Sequence, residues 1–267
     1  MINKASMGLR GASAGILLLL AGSIGNLLAA PGALVSVGGG TIGDEIRNRF
    51  IELAGGKAAR LLIVPQASSL PTAGEKQAAP FREKGMKHVT ILDLSDPTKA
   101  RAAIEAAEAI WIGGGQQNRL MDRLEEAEVA ATIRKRHASG VPIGGTSAGA
   151  AVMSEVMIAG DTLPLDKGLA LWPQVVVDQH FVVRKRFNRS LRTIMGHPAK
   201  VGVGIGESTA VVVNFETKSA EVVGAGVVTV IDARTANVSG SGEGSEQSWR
   251  DVRIHWLQAG ESFAFGR

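Results

Sequence analysis

The strongest chemical signal in the sequence is the run Gly144-Gly145-Thr146-Ser147-Ala148-Gly149-Ala150. It follows the apolar residues Val141–Ile143, which predict a buried strand, and a helix is predicted directly after the turn. A serine at such a turn exposes its hydroxyl above the carboxyl end of the sheet, because small neighbours leave room for the helix. The run therefore predicts that Ser147 is a nucleophile and that the backbone N–H of Ala148 faces a developing oxyanion. The alternative is that Ser147 only caps a helix.

A serine nucleophile needs a base, and the chain has five histidines. His180 follows the apolar run Val175-Val176-Val177, and a histidine at the end of a buried strand lies near the ligand-binding edge of a sheet. His180 is therefore the predicted base. The other four occupy settings typical of solvated faces, turns or an amphipathic segment, and are His88, His137, His197 and His255.

The base in turn needs a carboxylate that holds its tautomer. Glu207 lies between two predicted strands, in Gly204-Ile205-Gly206-Glu207-Ser208-Thr209. Asp178 and Glu155 compete with it for this role, and the residue pattern does not decide among the three.

A second glycine loop, Gly113-Gly114-Gly115-Gln116-Gln117, follows the predicted strand Ala109–Ile112. Backbone N–H groups of Gly114 and Gly115 could supply a second oxyanion donor, and Gln117 could bind substrate. A plain strand-to-helix turn would explain the glycines but not the paired amides.

Three arginines, Arg184, Arg186 and Arg189, follow His180 within nine residues. Arginine clusters commonly bind carboxylates in bidentate fashion, so they predict an acidic substrate group. The alternative is a solvated basic face.

Composition narrows the function further. The chain has 267 residues, 45% of them hydrophobic, and a net charge of +4 without Lys/Arg runs, which argues against nucleic-acid binding. Cysteine is absent, so disulfides, thiolate metal sites and a Cys nucleophile are excluded. Residues 1–30 have two early positive charges and an apolar run that ends in small residues, which predicts a signal peptide and export to the periplasm or medium. No stable membrane association is expected once the leader is removed.

The remaining residues, 31–267, alternate short β-branched runs with amphipathic stretches and predict one α/β domain with a mostly parallel sheet flanked by helices. Predicted helices include Asp44–Leu53, which ends at Gly55-Gly56, and a single long helix over Arg119–Ala138. Strands predicted after residue 200 either finish this sheet or add an antiparallel extension. Residues 237–248 predict a polar Gly/Ser-rich loop.

These segments together resemble cyanophycinase, a serine exopeptidase related to aspartyl dipeptidase (peptidase E). The resemblance spans nearly all of residues 34–231. The matching segments are Gly-Gly-x-Gln-x-Arg-Leu at 114–120, Gly-Thr-Ser-Ala-Gly-Ala at 145–150, Val-Val-Val-Asp-Gln-His-Phe at 175–181, Arg-x-Arg-x-x-Arg at 184–189 and Gly-Ile-x-Glu-x-Thr-Ala at 204–210.

The resemblance implies a fold like the class I glutamine-amidotransferase-like α/β sandwich and a Ser147, His180, Glu207 triad. It implies that the substrate is cyanophycin, a poly-aspartate whose side-chain carboxyls carry arginine, and that the products are β-Asp-Arg dipeptides. It implies no metal and no organic cofactor. The positions that match the family's substrate pocket are Gln117, Asp178, Gln179, Arg184, Arg186 and Arg189.

Two residues depart from the family pattern. The family commonly carries an acidic residue where Gln116 stands and another where Gly206 stands. The change at Gln116 removes a negative charge from a pocket that should meet arginine, which keeps an aspartyl or isoaspartyl dipeptidase with the same triad open as an alternative. A catalytically silent secreted binding protein of this fold is the other alternative. The sequence also leaves open whether the chain forms a homodimer and whether residues 237–267 contact a partner subunit.

Overall fold

The computed structural model describes residues 30–160, 165–243 and 246–266. All of the predicted leader except Ala30 lies outside these ranges. In the part that is described, no helix is long and apolar enough to cross a membrane.

Sixteen strands and seven helices form within these ranges. The strands are β1 Leu34–Val37, β2 Arg60–Val64, β3 His88–Ile91, β4 Ala109–Ile112, β5 Ile143–Thr146, β6 Val156–Ile158, β7 Leu165–Lys167, β8 Val175–Asp178, β9 Val201–Ile205, β10 Thr209–Asn214, β11 Ser219–Gly224, β12 Val228–Asp232, β13 Asn237–Ser239, β14 Ser248–Arg250, β15 Arg253–Leu257 and β16 Ser262–Ala264. The helices are α1 Asp44–Leu53, α2 Ala73–Glu83, α3 Pro97–Ala106, α4 Gln117–Glu126, α5 Ala130–Ala138, α6 Ala148–Ala151 and α7 Phe187–Gly196.

The main sheet has eight strands in the order β16-β11-β10-β1-β5-β4-β2-β3. The five strands from β1 to β3 in this order run parallel to one another, and β10, β11 and β16 pair antiparallel beyond β1. The prediction of an α/β fold with a mostly parallel sheet is confirmed. Of the later strands, β10 and β11 extend this sheet antiparallel, as one of the two predictions had it. Strands β9 and β12 instead join β8 and β15 in a second, four-stranded sheet of order β15-β12-β9-β8, which was not predicted.

Side chains of the main sheet contribute to two apolar layers, because alternate residues of each strand face opposite sides of the sheet. One face of the main sheet packs against α1 and α2, with Phe50, Phe81 and Trp111 meeting edge to face. The other face packs against α3 to α6 and the inner face of the four-stranded sheet, whose outer face is covered in part by α7.

The predicted helix over Arg119–Ala138 is wrong, because α4 and α5 are separate. The break lies at Glu128, which has a left-handed backbone with φ of 53°. Glu128 N–H donates to the carbonyl of Glu125, and Val129 N–H donates to the carbonyl of Leu124. These two bonds form a Schellman helix end, in which glycine usually occupies the left-handed position. No glycine marks this end in the sequence.

Smaller differences occur elsewhere. The strand predicted at Val141–Ile143 is β5, which begins only at Ile143, and the helix predicted directly after the turn at Ser147 is the single turn α6. Residues 237–248, predicted to be a loop, contain β13 and the first residue of β14, which pair as a short hairpin.

Candidate active site

Ser147 lies at the end of β5, on the turn that leads into α6. Its backbone has φ of 54° and ψ of −112°, a conformation that non-glycine residues rarely adopt. Its N–H donates to the carbonyl of Val37 at the end of β1 (3.0 Å), which fixes the turn to the neighbouring strand. The hydroxyl therefore stands at the carboxyl edge of the main sheet.

His180 brings the four-stranded sheet to this serine. It lies two residues beyond β8, and its Nε2 is 2.9 Å from Oγ of Ser147. Nδ1 of the same ring is 2.5 Å from Oε1 of Glu207, which lies two residues beyond β9. The parallel pairing of β8 with β9 brings the two residues together. The arrangement forms a hydrogen-bonded chain from hydroxyl to imidazole to carboxylate.

The two other carboxylates that the sequence left open lie elsewhere. Glu155 is exposed and accepts a hydrogen bond from Lys200 Nζ at 2.7 Å, which lowers the pKa of the Glu155 carboxyl. Asp178 is buried and accepts hydrogen bonds from both Nε and an Nη of Arg189. Neither forms a hydrogen bond with His180.

The run Gly38-Gly39-Gly40 after β1 joins the two sheets at the site. The carbonyl of Gly38 accepts from His180 N–H (2.7 Å), and the carbonyl of Gly39 accepts from Ser208 N–H (2.9 Å). This run was not among the residues predicted for the site. The available signal was three consecutive glycines at the end of a buried strand, where close approach of other backbone segments is expected.

The second glycine loop lies beside the serine. A β-carbon on Gly114 would be 3.4 Å from Cβ of Ser147, so this backbone passes directly by the nucleophile candidate. The loop is held by the segment that follows β2, since Gln116 N–H donates to the carbonyl of Ala67 at 2.9 Å. On the other side of Ser147, Ala148 begins α6. Because α6 has only four residues, its helix dipole is small. Any stabilisation of an oxyanion at this end would therefore come from a single backbone N–H group.

A pocket of about 420 Å³ opens next to Ser147. Its described lining carries amides and two guanidinium groups and no carboxylate. The lining residues are Gly115, Gln116, Gln117, Asn118, Ser147, Ala159, Gly160, Gln179, Arg184 and Arg186.

The predicted substrate residues divide into two groups. Gln117, Gln179, Arg184 and Arg186 line the pocket. Gln117 is anchored by donation from Nε2 to the carbonyl of Ile158 (2.9 Å), which leaves its Oε1 available. Asn118 also lines the pocket and was not among the predicted site residues.

Asp178 and Arg189 are not among the pocket-lining residues. Asp178 is 2% exposed and binds Arg189 through both carboxylate oxygens, and Ser190 Oγ also donates to it at 2.6 Å. The Arg189 guanidinium donates as well to the carbonyl of Gly160 at the pocket wall (2.5 Å). A direct substrate contact for Asp178 and Arg189 therefore stays a prediction.

The described residues contain no cluster of His, Asp or Glu that could hold a metal ion.

The pattern that defines Peptidase family S51 matches residues 34–220. The chain belongs to this family. It is 35% identical over 240 residues to a protein named cyanophycinase from Geminocystis herdmanii, which covers 83% of this chain and 88% of the relative. A cyanophycinase from Trichormus variabilis is also 35% identical, over 83% of this chain and 80% of that protein. This S51 chain is therefore a serine peptidase.

Two solved structures share the fold of this S51 peptidase. A peptidase from an acI-B1 actinobacterium is 21% identical and superposes with a TM-score of 0.66, covering 88% of this chain and 97% of its own. A putative peptidase E from Listeria monocytogenes is 15% identical with a TM-score of 0.55, covering 73% of this chain and all of its own. At these identities the likeness concerns the fold alone.

Proposed function

We propose that this S51 peptidase hydrolyses cyanophycin (multi-L-arginyl-poly-L-aspartate) and releases β-Asp-Arg dipeptides as an exopeptidase. The observation that carries the proposal is the chain of hydrogen bonds from Ser147 Oγ to His180 Nε2 (2.9 Å) and from His180 Nδ1 to Glu207 Oε1 (2.5 Å). The substrate class is supported by the relatives named cyanophycinase, which match more than four-fifths of the chain.

In this proposal Ser147 Oγ attacks the backbone carbonyl carbon of an aspartyl residue while His180 Nε2 accepts the hydroxyl proton. Glu207 accepts the hydrogen bond from Nδ1–H, which holds the tautomer that leaves Nε2 free as the base and stabilises the imidazolium that forms. The imidazolium then gives its proton to the departing amine. A water molecule hydrolyses the acyl-enzyme by the same route in reverse.

The oxyanion of the tetrahedral intermediate needs donors on the opposite side of the reacting carbon from the base. The candidates are the N–H of Ala148, which follows the nucleophile, and the N–H groups of Gly114 and Gly115. The close approach of Gly114 to Ser147 supports this assignment.

The pocket suits the acidic part of the substrate. A β-Asp-Arg unit carries carboxylates, and Arg184 and Arg186 supply positive charge beside Ser147. Arg186 is buried and donates to both oxygens of Gln179, so its guanidinium is held in one orientation. The amides of Gln117 and Gln179 add neutral partners for peptide groups.

A second candidate is an aspartyl or isoaspartyl dipeptidase that uses the same triad. The observation that favours it is Gln116, because this neutral amide lines the pocket where the resembling family commonly carries an acid. A substrate guanidinium would then have no ionic partner among the described lining residues. A catalytically silent binding protein is not a candidate, because the chain belongs to Peptidase family S51 and its relatives are named cyanophycinase.

The deciding experiment incubates the purified protein with insoluble cyanophycin and identifies soluble products by mass, beside parallel reactions on Asp-X and isoaspartyl dipeptides. We expect β-Asp-Arg from the polymer and a much lower rate on the dipeptides. The control is Ser147→Ala, which should lower turnover by about 10⁶-fold, as measured triad knockouts do. Faster cleavage of dipeptides than of polymer would establish the second candidate. Absence of both activities in protein that a fluorophosphonate still labels would contradict both candidate substrates.

We further propose that the peptidase acts in the periplasm or outside the cell, on cyanophycin released by other cells. Residues 1–30 support this through their secretory pattern. N-terminal sequencing of the protein from its host envelope or medium should show that this segment has been removed. Unprocessed full-length protein in the cytosol would contradict the proposal.

A further inference from the structure

The carboxylate of Glu207 has one hydrogen bond among the described residues, from Nδ1 of His180. The Glu207 side chain is 35% exposed, so the surrounding structure encloses it only in part. Gly40 lies against it, because a β-carbon at Gly40 would be 2.9 Å from Cβ of Glu207, but a glycine offers the carboxylate no side chain to bind. Since no second donor among these residues fixes the carboxylate, its position depends on the backbone that carries it.

The backbone of Glu207 lies in the short connection between β9 and β10, where the chain passes from the four-stranded sheet to the main sheet. Ser208 in this connection has a left-handed backbone with φ of 55°, and its N–H donates to the carbonyl of Gly39 (2.9 Å). The carbonyl of Ser208 accepts from Ala225 N–H (3.0 Å), in the connection between β11 and β12. These bonds fix Ser208 and leave the carbonyl of Glu207 to another donor.

Thr209 supplies that donor. This residue has no exposed surface, and its Oγ1 donates to the carbonyl of Glu207 (3.0 Å). The same oxygen accepts from Gly226 N–H (2.8 Å), in the connection between β11 and β12. A β-carbon on Gly226 would be 2.4 Å from this oxygen, so the two segments are in direct contact. One hydroxyl therefore joins the connection that carries the triad acid to the connection beside it.

Both hydrogen bonds depend on the hydroxyl of Thr209, because a hydroxyl donates and accepts at a single atom. Valine has the shape of threonine but would leave the carbonyl of Glu207 and the N–H of Gly226 without this partner. Since an unpaired polar group next to the interior is costly, the two backbone segments would shift toward other partners. Thr209 was not among the residues predicted for the site.

We propose that Thr209 is a positioning residue for the triad, which acts on catalysis through Glu207 and touches no substrate. Its hydroxyl fixes the carbonyl of Glu207, and this determines where the carboxylate meets Nδ1 of His180. Thr209 is not among the residues that line the pocket beside Ser147, so substrate binding should not depend on it. The inference rests on the proposed function through the triad alone, and not through the identity of the polymer.

The first test compares substitutions that keep or remove the hydroxyl. Thr209→Val should lower kcat for cyanophycin by about 10–100-fold with KM unchanged, because a displaced triad group slows the reaction and leaves the pocket intact. The rate of fluorophosphonate labelling of Ser147, which needs no polymer, should fall in parallel. Thr209→Ser keeps the hydroxyl and should retain the wild-type rates. Thr209→Cys, whose thiol is a weak donor and acceptor, should lie between them and replaces Thr209→Val if the valine variant does not fold.

Thr229→Val is the matched control. Thr229 in β12 also has no exposed surface, but its Oγ1 has no hydrogen-bond partner among the described residues. This hydroxyl holds no backbone segment in place, so Thr229→Val should leave kcat and the labelling rate unchanged. Equal losses in Thr229→Val and Thr209→Val would show that any change of a buried threonine disturbs the site, and would overturn the proposal.

A double-mutant cycle separates a positioning role from a general loss of structure. In a Glu207→Gln background the triad carboxylate is already absent, so Thr209→Val should cause little further loss in the labelling rate. A general disturbance of the site would instead multiply the two losses. Multiplied losses, or equal rates for the serine, cysteine and valine variants of Thr209, would overturn the proposal. A wild-type protein that is labelled but releases no β-Asp-Arg would overturn the proposed substrate, while the labelling rates would still decide the role of Thr209.

Discussion

Gly39 lies directly against the imidazole of His180. A β-carbon at position 39 would be 2.6 Å from Nε2 of His180 and closer still to Cε1 of the ring. Gly39 also has φ of 107°, and its carbonyl accepts from Ser208 N–H. The imidazole is therefore confined between Ser147, Glu207 and a backbone segment that has no room for a side chain.

Gly39→Ala should displace the imidazole and lower kcat by about 10²-fold, the cost of a displacement near 1 Å at a reacting centre. Gly56→Ala is the matched control, because Gly56 has φ of 99° and nothing within 4 Å of its β-carbon position. Both substitutions strain a left-handed backbone, so both should lower the melting temperature. Only the first should lower the rate of cyanophycin hydrolysis. Equal rates for the two variants would show that the contact with His180 does not matter.

Glu207→Gln should lower kcat by about 10³–10⁴-fold while the protein stays folded. An amide at this position can donate to Nδ1 of His180 and so favour the tautomer that is useless as a base, as the equivalent change does in a serine protease triad. The rate of fluorophosphonate labelling of Ser147 should fall as well. Glu155→Gln is the control, because Glu155 is bound to Lys200 at the surface and should leave both rates unchanged. Similar losses in the two variants would contradict a role for Glu207 in the triad.

Substitutions of Arg184 and Asp178 should affect different properties, namely substrate binding for Arg184 and folding stability for Asp178. Arg184 is exposed in the pocket, so Arg184→Ala should raise KM about tenfold, the loss of one charge-assisted hydrogen bond, with little change in melting temperature.

Asp178→Asn removes the buried counter-charge of Arg189, which lies in the interior with only 10% of its side chain exposed. Breaking such a pair costs about 3–5 kcal/mol of stability, which a lower melting temperature of the variant should show. An Asp178→Asn variant that melts like wild type but binds polymer poorly would instead assign Asp178 to substrate binding.

His137 should make the fold sensitive to acid. Burial lowers the pKa of His137 from 6.5 to about 4, and a backbone hydrogen bond involving Gly32 opposes this shift with a smaller effect. As the pH falls from about 6.5 to about 4, the unfolded chain takes up a proton at this residue and the folded chain does not. The free energy of unfolding therefore falls through this window, by up to about 3 kcal/mol.

Replacement by an aromatic residue that cannot titrate isolates this effect. His137 packs edge to face against Phe215 at 5.3 Å, so His137→Phe keeps a ring at the site. Denaturant unfolding across pH 4–7 should give a smaller loss of stability for His137→Phe than for wild type. Parallel curves for the two proteins would refute the assignment.

The local sequence was sufficient to predict backbone conformation where a short residue pattern dictates it. The end of α1 was predicted from Gly55-Gly56, because Gly55 adopts the left-handed helix end at φ of 90°. The end of α4 uses the same geometry at Glu128 and was missed, because nothing in a glutamate marks it. The turn at Ser147 was likewise predicted from the small residues around it.

The burial of individual side chains and their hydrogen-bond partners could not be predicted without the tertiary structure. His137, expected on a solvated face beside Arg136, is 5% exposed, because the packing of α5 and not its sequence neighbours decides its surroundings. The three arginines after His180 were predicted to form one cluster. In the structure Arg184 lines the pocket, whereas Arg189 binds Asp178 and is not among the lining residues.

The sequence by itself determined the residue types of the site, the alternation of strands and helices from β1 to β4, and the resemblance to a peptidase family, because these depend on short patterns along one segment. The resemblance implied Glu207, but the residue pattern left Asp178 and Glu155 open, and only the tertiary structure brings the Glu207 carboxylate against His180. The choice depends on the pairing of β8 with β9 and on the backbone bonds that the glycines after β1 form with both His180 and Ser208. A hydrogen bond requires atoms within about 3 Å, and distances that short between distant segments are set by sheet register and packing.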